Sequence, residues 1–381
     1  MTDVPTQSLG VLELSGRQGF LRRRERSWDA APDDIRVEER MVRDAGLRPG
    51  DEVSGEVRQQ GRNRSPVLTR VTAVNGLSPD EARRRPDFAR LPAVHPARPL
   101  RLSGAPGVDP RDDMIGRVID LFNPLGFGQR ALVVAPAKAG KTTVLQAIAR
   151  GIAAAAPQSR IYLLLVDERP EEVFEMEQTG VGEVVASSFD FGAARHVAVA
   201  ELTLERARRR VEQGEDAVII MDSLTRLARA YNSSERGSGR TLSGGMDATS
   251  LAGPKRFLGS AREVDPARGK GSLTIIATAL VDTGSKMDQV IYEEFKGTGN
   301  SELMLSRELA ERRLYPAIDL RSSGTRREEL LLDPETLEGV RQLRAGMAAL
   351  PAADAMQRLL VELRRTASNS ELIRSLARTP E

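Results

Sequence analysis

Short apolar runs broken by polar residues and turn signals dominate the first 76 positions of this chain. Turn-forming residues at 31–34 and 47–51 separate some of these runs, which favours strands over helices. Five short strands in so short a segment predict a small all-β barrel of the OB type. The predicted strands cover residues 11–14, 19–22, 35–37, 51–57 and 67–71.

A different pattern begins near residue 100, where near-continuous apolar runs alternate with stretches of helical spacing. Such runs are typical of strands buried on both faces of a mainly parallel sheet, with helices packed against it. We therefore predict an α/β domain that ends in helices over residues 335–379. Its predicted strands cover 131–134, 160–167, 217–222 and 273–278, and its predicted helices include 144–149, 193–213 and 223–231.

The change of pattern also predicts the domain limits. Residues 1–9 are expected to form a tail, 10–76 the OB-type domain, 77–99 a Pro- and Arg-rich linker, and 100–381 the α/β domain with its C-terminal helices. No apolar run approaches the roughly 20 residues that cross a bilayer, so we expect no membrane partner.

The segment 131–143 has the order strand, loop, helix that binds phosphates. Backbone N–H groups of such a loop, together with a helix N-terminus, form a polyphosphate site. Lys141 would reach the terminal phosphates, and the Thr142 hydroxyl would hold Mg²⁺. Ala135 stands where the general motif has its first glycine. The alternative interpretation is an exposed turn with an unrelated lysine.

Acidic residues follow two of the predicted strands. Glu168 comes directly after one strand and could polarise an attacking water, whereas Asp222 ends the next and could support Mg²⁺. The alternative is that both acids only cap the helices that follow. Together with the phosphate loop, they predict hydrolysis of ATP or GTP. Phosphoryl transfer also benefits from an arginine, often from a neighbouring subunit. Arg326 and Arg313 are candidates that composition alone does not separate.

Composition narrows the chemistry. The chain has no cysteine, which excludes disulfides and thiolate metal sites and favours an intracellular, cytoplasmic protein. Two histidines argue against a histidine metal centre or a Ser-His-Asp triad, and a net charge of +2 does not by itself indicate nucleic acid. Only six residues are lysines, and Lys138 and Lys141 both fall in the phosphate loop. This placement suggests that a compact ammonium group matters there.

Three segments could contact single-stranded nucleic acid. Phe20 lies on the second predicted strand beside the basic cluster Arg22–Arg24, and OB-type barrels bind single strands through aromatic and cationic side chains. The alternative is a solvated hairpin with Phe20 in the core. Glycine-rich loops at 233–245 and 282–287 each carry a cation among small residues and could approach a phosphodiester backbone, or could simply be solvated.

Several longer stretches are similar to one known family. The segments 136–142, 165–173, 221–232, 282–288, 291–300 and 323–326 resemble the Rho family of bacterial transcription termination factors, and the resemblance extends over about residues 8–330. Ala135 in the phosphate loop, unusual for the general motif, is normal for that family. The usual N-terminal helical subdomain of the family is not seen before the barrel.

The resemblance implies an α/β RecA-like P-loop ATPase domain preceded by an OB-type, cold-shock-like barrel. It implies a homohexameric ring that hydrolyses ATP with Mg²⁺, moves along RNA 5′→3′ as a helicase and ends transcription. The implied partners are the nascent single-stranded transcript, RNA polymerase and accessory elongation factors.

Site residues follow from the matched positions. Glu168 would activate water, Asp222 would support the metal, Arg326 would reach the next subunit's nucleotide and Tyr315 would stack on adenine. The implied nucleotide-binding residues are Gly126, Phe127, Gly128, Gln129, Arg130, Ala131, Lys138, Ala139, Gly140, Lys141, Thr142, Thr143, Arg169, Arg313 and Tyr315. The implied RNA-binding residues are Phe20, Arg22, Arg36, Arg240, Thr283, Gly284 and Lys286.

This chain departs from the family at the RNA sites. Gln18 and Arg36 stand where the family has aromatics, and each lost base–aromatic stack costs about 1–3 kcal/mol. Arg36 could compensate partly by stacking and by phosphate contact. The resemblance implies that loops 233–245 and 282–288 line the pore of the ring, and Arg240 stands where the family has a lysine in the first of them. Two alternative functions are an RNA-binding regulator that translocates little, and a ring motor resembling rotary ATP synthase subunits, against which the Lys286 loop argues.

Overall fold

A closed five-stranded barrel forms the N-terminal domain of the computed structural model, which describes residues 8–59, 65–234, 243–247 and 249–377. The strands follow the order β1-β2-β3-β5-β4 around the barrel. Alternate residues such as Leu12, Leu21 and Val37 point inward and are buried, as the predicted strands require. The strands are β1 (Ser8–Ser15), β2 (Gln18–Arg22), β3 (Ile35–Val37), β4 (Glu52–Arg58) and β5 (Val67–Val74).

A short helix not predicted from the sequence, α1 (Glu39–Ala45), lies between β3 and β4. Its seven residues bury only Ala45 fully, so the apolar pattern that marks a helix is weak. It ends at Gly46, whose φ of 63° lies in the left-handed region that glycine adopts without strain.

The segment between the two domains folds against both of them. It contains α2 (Pro79–Arg84), which begins with a capping box formed by Ser78 and Glu81, and the two-residue strand β6 (Ala93–Val94). Between them Phe88 is buried, with the guanidinium groups of Arg208 and Arg262 at 5.3 and 4.5 Å from its ring centre.

The second domain is built on a mainly parallel sheet of order β14-β13-β7-β12-β10-β8-β9, with β11 and β6 beside it. This confirms the predicted α/β architecture and the OB-like barrel before it. In chain order, the first elements of this domain are α3 (Pro110–Phe122), β7 (Arg130–Pro136), α4 (Lys141–Ala155), β8 (Arg160–Val166), α5 (Pro170–Glu177), β9 (Glu183–Ser187), α6 (Ala193–Glu212), β10 (Asp216–Asp222) and α7 (Leu224–Ser234).

The remaining elements complete the sheet and cover its far edge. The short strand β14 pairs antiparallel with β13, which itself lies parallel to β7. These elements are α8 (Ala252–Gly259), β11 (Arg262–Val264), β12 (Ser272–Val281), α9 (Lys286–Lys296), β13 (Ser301–Met304), α10 (Arg307–Glu311), β14 (Gly324–Thr325), α11 (Pro334–Met347), α12 (Ala352–Arg365) and α13 (Asn369–Ala377).

The sheet topology decides which loops can meet. The strands β7, β12, β10 and β8 are parallel neighbours, so their carboxyl ends share one edge of the sheet. Ligands of open α/β sheets bind beyond that edge. None of the helices in the described ranges is long and apolar enough to cross a membrane.

Candidate active site

The phosphate loop joins the buried strand β7 to helix α4. Gly140 caps the helix with a φ of +87°, and Lys138 also has a positive φ, of 63°. The loop therefore turns sharply, and α4 begins at Lys141 with its first N–H groups free of helical partners. This geometry fits the predicted polyphosphate site.

Lys141 lies between two buried acids. Its Nζ atom is 2.8 Å from a carboxylate oxygen of Asp222 and 3.3 Å from Oε1 of Glu168. Burial alone would lower the pKa of Lys141, but the two acids outweigh that effect and the pKa is raised. The hydroxyl of Thr278, near the end of β12, donates a hydrogen bond of 2.7 Å to Asp222. The loop and two strand ends thus form one cluster.

Glu168 is the second residue after β8 and is only 1% exposed. Burial, and next the charge of Asp222, raise its pKa to about 7 despite the nearby Lys141. A carboxyl group that titrates near neutrality is suited to accept a proton from an attacking water. The Nε atom of Arg226 lies 3.0 Å from Oε1 of Glu168 and forms an ion pair with it, without a hydrogen bond.

Sequence reasoning missed three members of this cluster, which are Arg226, Thr278 and Glu172. Arg226 lies four residues after Asp222, one turn into α7, and that spacing could have indicated it. Carboxylate oxygens of Glu168, Glu172 and Asp222 all lie within 4.8 Å of one another. Oxygen ligands of this kind suit Mg²⁺, so the donor set fits the predicted metal.

Several predicted nucleotide-binding residues gather around the phosphate loop. A Cβ atom on Gly140 would lie 3.9 Å from the ring of Tyr315, which is 42% exposed. The exposed Arg313 lies two residues before Tyr315, and the exposed Arg169 follows Glu168 directly. Lys138 to Thr143 form the loop and the first turn of α4. Tyr315 therefore lies beside the phosphate loop, and Arg313 and Arg169 lie close along the chain to Tyr315 and Glu168.

The structure does not bring residues 126–131 or Arg326 to that site. The Arg326 N–H donates to Asn300 O, and the Asn300 N–H donates to Arg130 O, each at 2.9 Å. Arg130 begins β7, whereas the phosphate loop follows its other end, about 20 Å away along a strand of this length. Within this segment Gln129 is 1% exposed. A Cβ atom on Gly128 would collide with the backbone of Glu263, so the segment also packs tightly into its own domain.

Two of the three barrel residues predicted to bind RNA lie side by side on the barrel wall. Phe20 on β2 and Arg36 on β3 are direct cross-strand partners, and both are partly exposed. Phe20 is therefore outside the core. Arg22, in contrast, is 9% exposed and forms ion pairs with Glu13 and Asp34. The charge of Arg22 is thus already paired inside the barrel wall, which disfavours an RNA contact, and its predicted RNA contact stays a prediction.

The loop 282–285 leads into α9, and hydrogen bonds to Asp288 in the first turn of that helix hold it. Asp288 accepts two hydrogen bonds from Arg229, at 2.7 and 2.6 Å, and one of 2.6 Å from the Thr283 hydroxyl. Thr283, Gly284 and Lys286 are exposed, and Lys286 is the first residue of the helix. The predicted RNA-binding Arg240 lies outside the described residues.

Comparisons with known proteins agree with this architecture. Residues 8–80 match the family model of the Rho termination factor RNA-binding domain, and residues 116–325 match that of the ATP synthase alpha/beta family nucleotide-binding domain. The chain is similar in structure to a type III secretion system ATPase, with a TM-score of 0.61 and 24% identity over 84% of this chain and 93% of that one. At this identity the similarity shows the fold alone.

Several curated relatives carry the name transcription termination factor Rho. The protein of Gemmatimonas aurantiaca is 52% identical over 96% of this chain and 50% of its own length. That of Mycobacterium leprae is 47% identical over 99% of this chain and 61% of its own length. The chain thus spans about half to three fifths of these relatives. A Buchnera aphidicola relative is 50% identical over 97% of this chain and 88% of its own length. The chain therefore belongs to the Rho family of transcription termination factors.

Proposed function

We propose that this protein is an RNA-dependent ATPase that moves 5′→3′ along RNA as a hexameric ring helicase and terminates transcription. The observation that carries the proposal is the cluster of Lys141, Glu168 and Asp222 beyond the phosphate loop. It occurs in a chain whose other domain matches an RNA-binding family.

Each member of the cluster has a role in hydrolysis. Lys141 binds the terminal phosphates, and Glu168 orients the attacking water and accepts its proton. Thr142 and Asp222 would hold Mg²⁺, which neutralises phosphate charge when bound. Tyr315 stacks on the adenine, since its exposed ring lies beside the loop.

Arg326 acts on the nucleotide of a neighbouring chain. It lies at the opposite end of β7 from its own phosphate loop, so it cannot reach its own nucleotide without unfolding the sheet. A contact between unlike surfaces of identical chains repeats around a ring when the rotation closes. The homohexamer predicted from the family meets this need. Residues 126–131 lie at the same end and could contribute only across such an interface.

RNA would bind at two places, the surface of the barrel and the pore of the ring. Phe20 and Arg36 offer a stacking ring and a cation on the barrel surface. Thr283, Gly284 and Lys286, with Arg240, would line the pore. The nascent transcript is the proposed RNA, and RNA polymerase and elongation factors, in the cytoplasm, are the further proposed partners.

The test is the rate of ATP hydrolysis with and without a pyrimidine-rich RNA. We expect the RNA to stimulate hydrolysis, and we expect Lys286→Ala to reduce that stimulation while the barrel still binds RNA. An RNA-insensitive rate would contradict the proposal. Hydrolysis stimulated by RNA but without displacement of a strand paired to its 3′ side would instead favour a regulator that translocates little.

A further inference from the structure

Helix α6 lies against the barrel at its C-terminal half. Arg210 pairs with Glu52 of β4 at 2.7 Å, and the Arg48 guanidinium pairs with Glu212 at 2.8 Å. The side chain of Gln213, just past the helix end, donates a hydrogen bond of 3.1 Å to a barrel carbonyl. These contacts come from the loops and strands that close one end of the barrel.

Two features prevent the helix from sliding over the barrel. Gly50 has a φ of +84° and packs so closely that a Cβ atom there would collide with the backbone of Arg206. Arg85 is 7% exposed and bridges Asp51, at 2.6 Å, to Glu212, at 3.1 Å. A buried charge network of this kind is costly to break. The C-terminal half of α6 is therefore fixed to the barrel.

Two arginines of α6, one in each half of the helix, contact the loop between β2 and β3. The Arg206 guanidinium lies 4.6 Å from the ring centre of the buried Trp28. Arg195, near the start of the helix, pairs with Asp29 at 3.3 Å. This loop directly follows the strand that carries Phe20. The proposed RNA surface therefore lies next to the loop that contacts α6.

The first turn of α6 reaches the catalytic cluster. His196 is buried, and its Nδ1 atom lies 2.7 Å from the Ser187 hydroxyl. Its Nε2 atom lies 4.0 Å from one carboxylate oxygen of Asp167. The other oxygen of Asp167 is 3.1 Å from Arg226, whose Nε atom is 3.0 Å from Glu168. A row of neighbouring polar side chains therefore leads from the barrel loop to the carboxylate, and its links from His196 to Asp167 and from Arg226 to Glu168 are close approaches without a hydrogen bond.

We infer that α6 carries RNA occupancy of the barrel to Glu168, with Arg195 and His196 as positioning residues. RNA on the barrel shifts the loop and, with it, the start of α6, which moves Asp167 and Arg226 and so aligns the Glu168 carboxylate. Neither positioning residue touches substrate. The inference rests on the proposed RNA-dependent hydrolysis and adds the route by which the barrel contributes to it.

The ion pair of Asp29 and Arg195 offers the sharpest test. Asp29→Asn, Asp29→Lys and Arg195→Glu each break it, and the double variant Asp29→Lys with Arg195→Glu restores it in reverse. Asp33→Lys is the matched control, because Asp33 lies in the same loop and pairs with Arg23 and Arg26 of that loop. For each variant the measurements are RNA affinity, melting temperature, basal kcat, RNA-stimulated kcat and the KM for ATP.

We expect each variant that breaks the pair to bind RNA normally and to keep basal kcat and KM. Its RNA-stimulated kcat should fall at least about fivefold, the lower end of usual coupling between sites. The double reversal should restore stimulation, and Asp33→Lys should leave it unchanged. Full stimulation in all three single variants would overturn this inference alone, as would a loss that the double reversal does not restore. Absence of stimulation in the unmodified chain would overturn the proposed function and this inference with it.

Discussion

Arg226 places its Nε atom 3.0 Å from Oε1 of Glu168, although the two residues lie on different elements of the sheet edge. Lys141 lies 3.3 Å from the same oxygen. Even with two cations beside it, the pKa of Glu168 is raised to about 7, because burial and the charge of Asp222 prevail. The Glu168 carboxylate thus lies beside two cations and still has a pKa close to neutral pH.

Replacing the Glu168 carboxylate should stop hydrolysis. Glu168→Gln keeps the shape of the side chain but removes the proton acceptor, so we expect kcat to fall by about 10²–10⁴-fold. ATP binding should remain, because Lys141 and the loop stay in place. Equilibrium binding of a fluorescent ATP analogue, together with kcat, checks both. Glu171→Gln, at an exposed position three residues further on, is the control and should stay active.

Activity should depend on pH through Glu168. Protonation below a pKa of about 7 removes the acceptor, so kcat/KM should fall as the pH drops from 8 to 6. The effect on stability has the opposite direction. The folded pKa lies above the ordinary value of 4.5, so the folded state binds the proton more tightly, and stability should fall as pH rises from 4.5 towards 7. A kcat/KM profile that is flat down to pH 6 would contradict the assignment.

Phe20 should contribute to RNA affinity and little to stability. Phe20→Ala removes a partly exposed ring, and loss of one base stack should weaken RNA binding by about 1–3 kcal/mol. Fluorescence anisotropy with a cytidine oligonucleotide measures the change. Unchanged affinity would show that RNA does not stack at this position. Phe191→Ala, an exposed ring outside the barrel, controls for general loss of aromatic surface.

Arg22 should have the opposite profile, with a large effect on stability. Arg22→Ala leaves the buried Asp34 without its cation, and breaking a buried pair costs about 3–5 kcal/mol. Chemical denaturation followed by the fluorescence of Trp28, the single tryptophan, measures it. A stability loss below about 1 kcal/mol, the range of surface pairs, together with weaker RNA binding would support the predicted RNA contact of Arg22.

Much of the fold could be predicted because its signals are local. The apolar runs that become β8 and β10 are continuous, and the glycine and lysine of the phosphate loop follow within five residues of the end of β7. Glu168 and Asp222 were found for the same reason, since each stands at a strand end. Helix α1 was missed because a seven-residue, mostly charged segment gives almost no periodic signal.

Contacts between distant segments could not be predicted in this way. Arg22 looks like a free cation in the sequence, and only the fold places Glu13 and Asp34 beside it. The position of Arg326 depends on β14 pairing with β13 at the far end of the sheet. The resemblance to the family suggests a role for Arg326. Its distance from the phosphate loop of its own chain, however, follows only from how β14, β13 and β7 pair.

The central claim is that neighbouring chains share one RNA-driven ATP site, and mixing two inactive variants tests it. Glu168→Gln and Arg326→Ala, carried on differently tagged chains, are co-expressed, purified through both tags and assayed for ATP hydrolysis with RNA. Each variant alone should be inactive. In mixed rings about one quarter of the interfaces join an intact Glu168 to an intact Arg326, so we expect up to about one quarter of the unmodified rate. Mixed rings without recovered activity, or an active Arg326→Ala protein, would contradict the shared site.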